Sequence, residues 1–243
     1  MSGSSAESHG QHFVFADSGE GPLVVLLHGF PDTPFGWEAT SASLNAAGYR
    51  TVAAYLRGYH PDTIVPERRY RTQEIGEDAV RLLDALGADR AVLVGHDWGA
   101  AIAYRAAVIA PERVRGICAV AIPHPRLLGR SLGLLWRGRH FITLSLPSGP
   151  WLARRRDFAY IDTLMRRWAP NWSGPERESA LAAVKRAFRG RARARRRARL
   201  LPRCLAGRAE RDGHASRADR RRHDRPDRAG GLHALTRGVR RPL

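Results

Sequence analysis

Four short, almost wholly apolar runs constrain this chain more than any other feature. Leu23 to Leu27 (LVVLL), Thr51 to Tyr55 (TVAAY), Ala91 to Val94 (AVLV) and Ile117 to Ile122 (ICAVAI) are separated by segments of helical pattern around Gly36 to Ala47, Glu74 to Leu86 and Trp98 to Ala110. A strand that is apolar on both faces must be covered on both, and strands alternating with helices run parallel. In the middle helical segment Ile75, Ala79, Leu82, Leu83 and Leu86 recur at helical spacing, and Gly87 stands where a helix stops. His12 to Ala16 (HFVFA) reads as a lead-in strand. The expected class is therefore α/β, a mainly parallel sheet flanked by helices, with right-handed crossovers limiting the topology.

Beyond Ile122 the alternation ends. Pro123 and Pro125 interrupt it, and residues 126–185 carry helical patterns containing Trp136, Trp151, Trp168 and Trp172 without a clear strand, which predicts a helical layer over the sheet. The last part of the 243-residue chain is different again. The formal net charge of +18 suggests a polyanion partner, but residues 189–243 hold 19 Arg and 5 acids, leaving a net of only +4 on residues 1–188. After Arg189 there is no Phe, Trp, Tyr, Ile, Met or Lys, so this segment cannot build a core. The expected partition is 1–123 as the sheet-bearing region, 124–188 as the helical layer and 189–243 as an Arg-rich, low-complexity tail.

Chemistry concentrates where the third apolar run ends. Gly95-His96-Asp97-Trp98-Gly99 leads from a buried strand straight into an Ala-rich helix, the strand-turn-helix setting of a nucleophile elbow. The central residue of such a turn is strained, so Gly95 and Gly99 are needed beside it, and Ala100 allows the helix to pack close. Asp97 at the helix N-terminus is expected to stay ionised and to attack carbon, forming an ester that water later opens. The first run ends in His28-Gly29-Phe30-Pro31, at the sheet edge where ligands bind. The backbone N–H groups of Phe30 and Trp98 are expected to form an oxyanion hole, with His28 ordering the loop.

His28-Gly29-Phe30-Pro31-Asp32 followed by Trp37, Arg57-Gly58-Tyr59 and Gly95-His96-Asp97-Trp98-Gly99 together resemble the α/β-hydrolase superfamily, specifically its epoxide-hydrolase-like branch. The resemblance covers roughly residues 10–188. It implies an α/β-hydrolase fold, a nucleophilic Asp97, a helical cap at about 124–185, no cofactor or metal, and hydrolysis of a small apolar epoxide to a vicinal diol. Haloalkane dehalogenases share an Asp followed by Trp. They resemble this chain less at the first loop, where Phe30 offers no side-chain donor for a halide and leaves only the Trp98 indole.

Two departures from the family bear on activity. The stretch Phe141 to Pro147 (FITLSLP) holds no tyrosine to protonate the opening epoxide; Tyr160 and Tyr104 are the nearby alternatives, with packing the plainer role for Tyr160. No strand, acid and His-aromatic series follows the cap, and His214, His223 and His233 lie in the tail with no strand before them. The general-base histidine and its acid partner are thus unidentified, and the sheet is expected to be truncated at its C-terminal end. Arg, Ala, Gly and Pro, all with GC-rich codons, dominate from Gly190, the composition of a coding sequence read out of frame. Removing one nucleotide from a back-translation of His223 to Arg241 permits Thr-Thr-Val-Leu-Ile and then Asp-Cys-Met-His, which resemble a strand and loop of the family. The expectation is an α/β-hydrolase whose Asp97 alkylates but turns over very slowly. The reading of another class is a non-catalytic basic protein holding polyanions through its tail, without specificity for nucleic acid because the tail lacks aromatics. Two cysteines, Cys118 and Cys204, no apolar leader and no run of membrane-spanning length predict a cytoplasmic protein without membrane association.

Overall fold

The structure, a computed structural model, describes residues 3–65, 71–124 and 138–189. All of them belong to one compact unit. The sequence expectations for the tail, including its frame and its three histidines, lie outside the described residues.

Six strands form one sheet: β1 (Gly3–Ser8), β2 (Gln11–Ser18), β3 (Leu23–Leu27), β4 (Arg50–Ala54), β5 (Ala91–His96) and β6 (Val114–Val120). Their spatial order is β1-β2-β4-β3-β5-β6. β4, β3, β5 and β6 run parallel, whereas β1 and β2 join antiparallel, so the sheet is mixed at one end. The register aligns Leu27 with both Ala54 and Gly95, and His96 with Val120. The loops after β3, β4 and β5 therefore leave the sheet side by side at its C-terminal edge.

Helices α1 (Glu38–Ala46), α2 (Thr72–Ala85) and α3 (Trp98–Ile109) connect the strands. Leu23, Val25 and Leu27 enter one apolar cluster with Ile75, Ala79, Leu82 and Leu83 of α2 and Ile102, Ala103 and Ala106 of α3. Val24 and Leu26 enter a second, against Trp37 and Leu44 on the α1 side. Strand β3 is thus apolar throughout because both its faces are covered. At about 25 cal/mol per Å² of apolar area removed from water, each such leucine contributes roughly 2 kcal/mol. Gly87 (φ +62°) follows α2 and supplies the left-handed turn that ends it.

The helical layer is present in its described part as α4 (Arg139–Ser145), α5 (Gly149–Trp168) and α6 (Pro175–Arg189). α5 is interrupted at Arg155 to Phe158, where three successive residues take positive φ. Phe158, Ile161 and Leu164 of α5 and Leu181, Val184 and Phe188 of α6 join the same cluster as the sheet and α2. Lys185 donates to Asp162 at 2.6 Å, and Arg189 pairs with Asp157 at 2.7 Å, tying α6 to α5. Arg189, placed with the tail by composition, is therefore the last residue of a packed helix.

One strand was not indicated by the sequence, and the start of another needs correction. β1 has no apolar pattern; it is exposed and polar (GSSAES), and its pairing comes from the two-residue turn His9-Gly10, both at positive φ, which sets the register Ser8 to Gln11. β6 begins at Val114 rather than Ile117, and it is not covered on both faces. Cys118 and Val120 are exposed, and β6 pairs only with β5 among the described residues. No described helix is long and apolar enough to cross a membrane.

Candidate active site

The loop after β5 delivers Asp97 at φ +52°, ψ −114°, outside the regions a side chain ordinarily tolerates, and α3 begins at the next residue. Three glycines make this turn sterically possible. A Cβ on Gly95 would lie 2.2 Å from the Gly99 carbonyl, and one on Gly99 would lie 1.9 Å from the Leu27 oxygen. A Cβ on Gly29 would lie 2.4 Å from that of Asp97. The same close approach allows the Phe30 amide to donate to Asp97 Oδ1 at 3.0 Å. The Trp98 amide also donates to this carboxylate. The two N–H groups expected to form an oxyanion hole thus converge on the carboxyl group whose ester they would serve, leaving Oδ2 as the oxygen that Phe30 does not hold.

Two opposing effects act on the Asp97 carboxyl. The helix terminus does stabilise the carboxylate, through two amide hydrogen bonds, and His96 adds a favourable field. Burial nevertheless outweighs them and raises the carboxyl above its ordinary value of 3.8. Asp32 shows the same balance: burial raises it, while the Thr33 amide, 2.7 Å from Oδ1, and His96 draw it down. The imidazole of His96 therefore acts on both carboxyls. Sequence reasoning gave Asp32 no role, although its place at the end of the His28 to Asp32 motif was the available signal. Gly36 accommodates it, since a Cβ there would lie 2.4 Å from Asp32 Oδ2.

His28 is fully buried. Its Nδ1 lies 2.9 Å from the Gly29 carbonyl, and its Nε2 accepts from the Leu56 amide at 3.2 Å, which places the proton on Nδ1. The ring ties the loop after β3 to the loop after β4 and packs edge-on against Tyr59 at 4.7 Å. Pro31, two residues on from Gly29, is also buried. Arg57 forms a buried ion pair with Asp78 of α2 and fixes the start of the second loop. Tyr160 packs against the main apolar cluster, and the Tyr104 ring stands edge-on to His124 at 5.2 Å. A cavity of about 60 Å³ lies between α2, α3 and the sheet, reaching Tyr59 and Trp98 but lined by neither Asp97 nor Phe30.

Comparison with known proteins bears on the fold and on the branch the chain resembles. Residues 22–140 match the α/β hydrolase fold family. Epoxide hydrolase B of Mycobacterium tuberculosis is 38% identical over 137 residues, 56% of this chain and 35% of that protein. Bifunctional epoxide hydrolase 2 of Sus scrofa is 36% identical over 127 residues, 49% of this chain and 23% of that protein. The match thus spans about a third or less of these two curated relatives. Among solved structures, an epoxide hydrolase from Vigna radiata superposes with a TM-score of 0.65 at 24% identity, covering 83% of this chain and 72% of that one. A variant of an epoxide hydrolase from Bacillus megaterium, solved with its naphthyloxy-propanediol product, gives 0.69 at 22% identity, covering 81% and 71%. These two likenesses show the fold, and the sequence matches give the branch it resembles: the chain has the α/β-hydrolase fold and is epoxide-hydrolase-like.

Proposed function

We propose that this chain performs the first half of epoxide hydrolysis, with Asp97 as nucleophile, and opens the resulting ester very slowly. The observation that carries the reading is the convergence of the Phe30 and Trp98 amides on a carboxylate held at a strained elbow. Asp97 Oδ2 attacks an epoxide carbon, the C–O bond to that carbon breaks, and the alkoxide takes a proton from a general acid or from water. The product is a hydroxyalkyl ester whose carbonyl oxygen, the former Oδ1, already accepts from the Phe30 amide, with the Trp98 amide donating to the same carboxyl group. Water attack on the ester carbon would place negative charge on that oxygen, and each such donor contributes roughly 3 to 4 kcal/mol to the transition state.

That second step needs a general base, and none is assigned among the described residues. His28 is committed through both ring nitrogens, and His214, His223 and His233 lie outside the described residues. The reading therefore predicts an accumulating ester. Small apolar epoxides suit the aromatic and aliphatic surroundings of Phe30 and Trp98. A dehalogenase reading is less well supported, since Phe30 brings no side-chain N–H for a leaving halide.

Incubation with styrene oxide, followed by intact mass and peptide mapping, tests this. One covalent adduct on Asp97, absent in Asp97→Asn, is expected, with diol release far slower than adduct formation. Rapid multiple turnover, or an adduct on another residue, would overturn it.

A further inference from the structure

The aromatic side chain that meets Phe30 from the helical layer is Phe188, in the last turn of α6. Its ring lies edge-on to Phe30 at 5.8 Å and edge-on to Tyr59 at 5.8 Å, and it is tilted against Phe158 at 6.2 Å. All four rings are buried. Phe30 and Tyr59 belong to the two loops that His28 links, and the Phe30 amide holds Asp97 Oδ1. Phe188 is fixed from both sides in sequence, by the Lys185–Asp162 and Arg189–Asp157 pairs, so it is not a freely swinging ring. No other residue of α4 to α6 has an aromatic contact with the oxyanion loop among the described residues.

We propose that Phe188 is a specificity-determining residue: its ring is the wall that limits how large a group an epoxide can carry on the Phe30 side of Asp97. This rests on the reading of Asp97 as the nucleophile. A wall of this kind acts on the substrate according to size. A residue that only held α6 in place would, when truncated, slow all substrates alike. Removing most of a phenyl ring opens space worth several methylenes, and a single methylene in an apolar pocket already discriminates by about tenfold or more.

The test compares wild type, Phe188→Ala and Phe188→Leu in single-turnover adduct formation with propylene oxide and with styrene oxide. The expected result is a rise of about tenfold in the styrene oxide to propylene oxide rate ratio for Phe188→Ala, with Phe188→Leu intermediate. Leucine keeps the site apolar, so it serves if the alanine variant does not fold. A second readout needs no ester chemistry: binding of the unreactive 1-phenyl-1,2-ethanediol and 1,2-propanediol, followed by tryptophan fluorescence, should show the same change in preference. Unchanged ratios in both readouts would overturn the role of Phe188. Absence of any adduct in the folded wild type would instead overturn the Asp97 reading, while the binding ratios still decide whether Phe188 sets the size limit.

Discussion

Replacing Gly99 by Ala should damage both the fold and the site, by an amount that follows from one contact. The added Cβ would stand 1.9 Å from the Leu27 carbonyl oxygen and 2.5 Å from its carbon. Even a weak C–H···O contact needs about 3.3 Å, so α3 and β3 must separate by more than an ångström at the N-terminus of the helix. Backbone rather than a flexible side chain is in the way, so the strain cannot be relieved by a rotamer change. Overpacking of this kind costs about 1–3 kcal/mol, which lowers Tm by roughly 2–4 °C per kcal/mol in a chain of this size. The same shift carries the Trp98 amide off the Asp97 carboxylate, and losing one oxyanion donor costs about 10²–10³ in rate. Urea denaturation and the rate at which the accumulated ester is hydrolysed measure the two effects. Gly116→Ala is the control, because a Cβ there meets nothing within 4 Å and its φ is not positive. If Gly99→Ala were as stable as the control and hydrolysed its ester at the wild-type rate, the close-packing account of the elbow would be wrong.

The remaining predictions concern buried charge. The Asp97 carboxyl is raised in the folded protein, so its contribution to stability is complete below 3.8 and is lost as pH rises through the folded value. Asp97→Asn, which does not titrate, should therefore gain stability relative to wild type as pH increases over that interval; a pH-independent difference in urea midpoint would contradict this. Arg57→Met takes from buried Asp78 the partner that hydrogen-bonds both its oxygens and leaves it only Arg81, at 3.8 Å. It should lose about 3–5 kcal/mol at neutral pH, and less in acid, where burial already favours protonated Asp78; a loss independent of pH would count against the pairing argument.

The sequence determined by itself what local pattern and chemistry can encode. The apolar runs specified β3 to β5 because a strand covered on both faces has nowhere to put a polar side chain. Gly95, Asp97 and Gly99 were legible because only small neighbours permit a turn of that curvature, and His28 to Pro31 because the motif follows a buried strand. What depended on distance in space was not legible. β1 is paired through a turn and carries no apolar signal of its own. The sign of the Asp97 shift required knowing how far burial offsets two amide hydrogen bonds, and burial is a property of the packed molecule. Asp32 is brought into the same field as Asp97 by His96, on a different loop. Phe188 reads as one apolar position on a helix with three arginines, and only tertiary packing, which stacks α6 on the loops after β3 and β4, sets it against the residue whose amide holds Asp97.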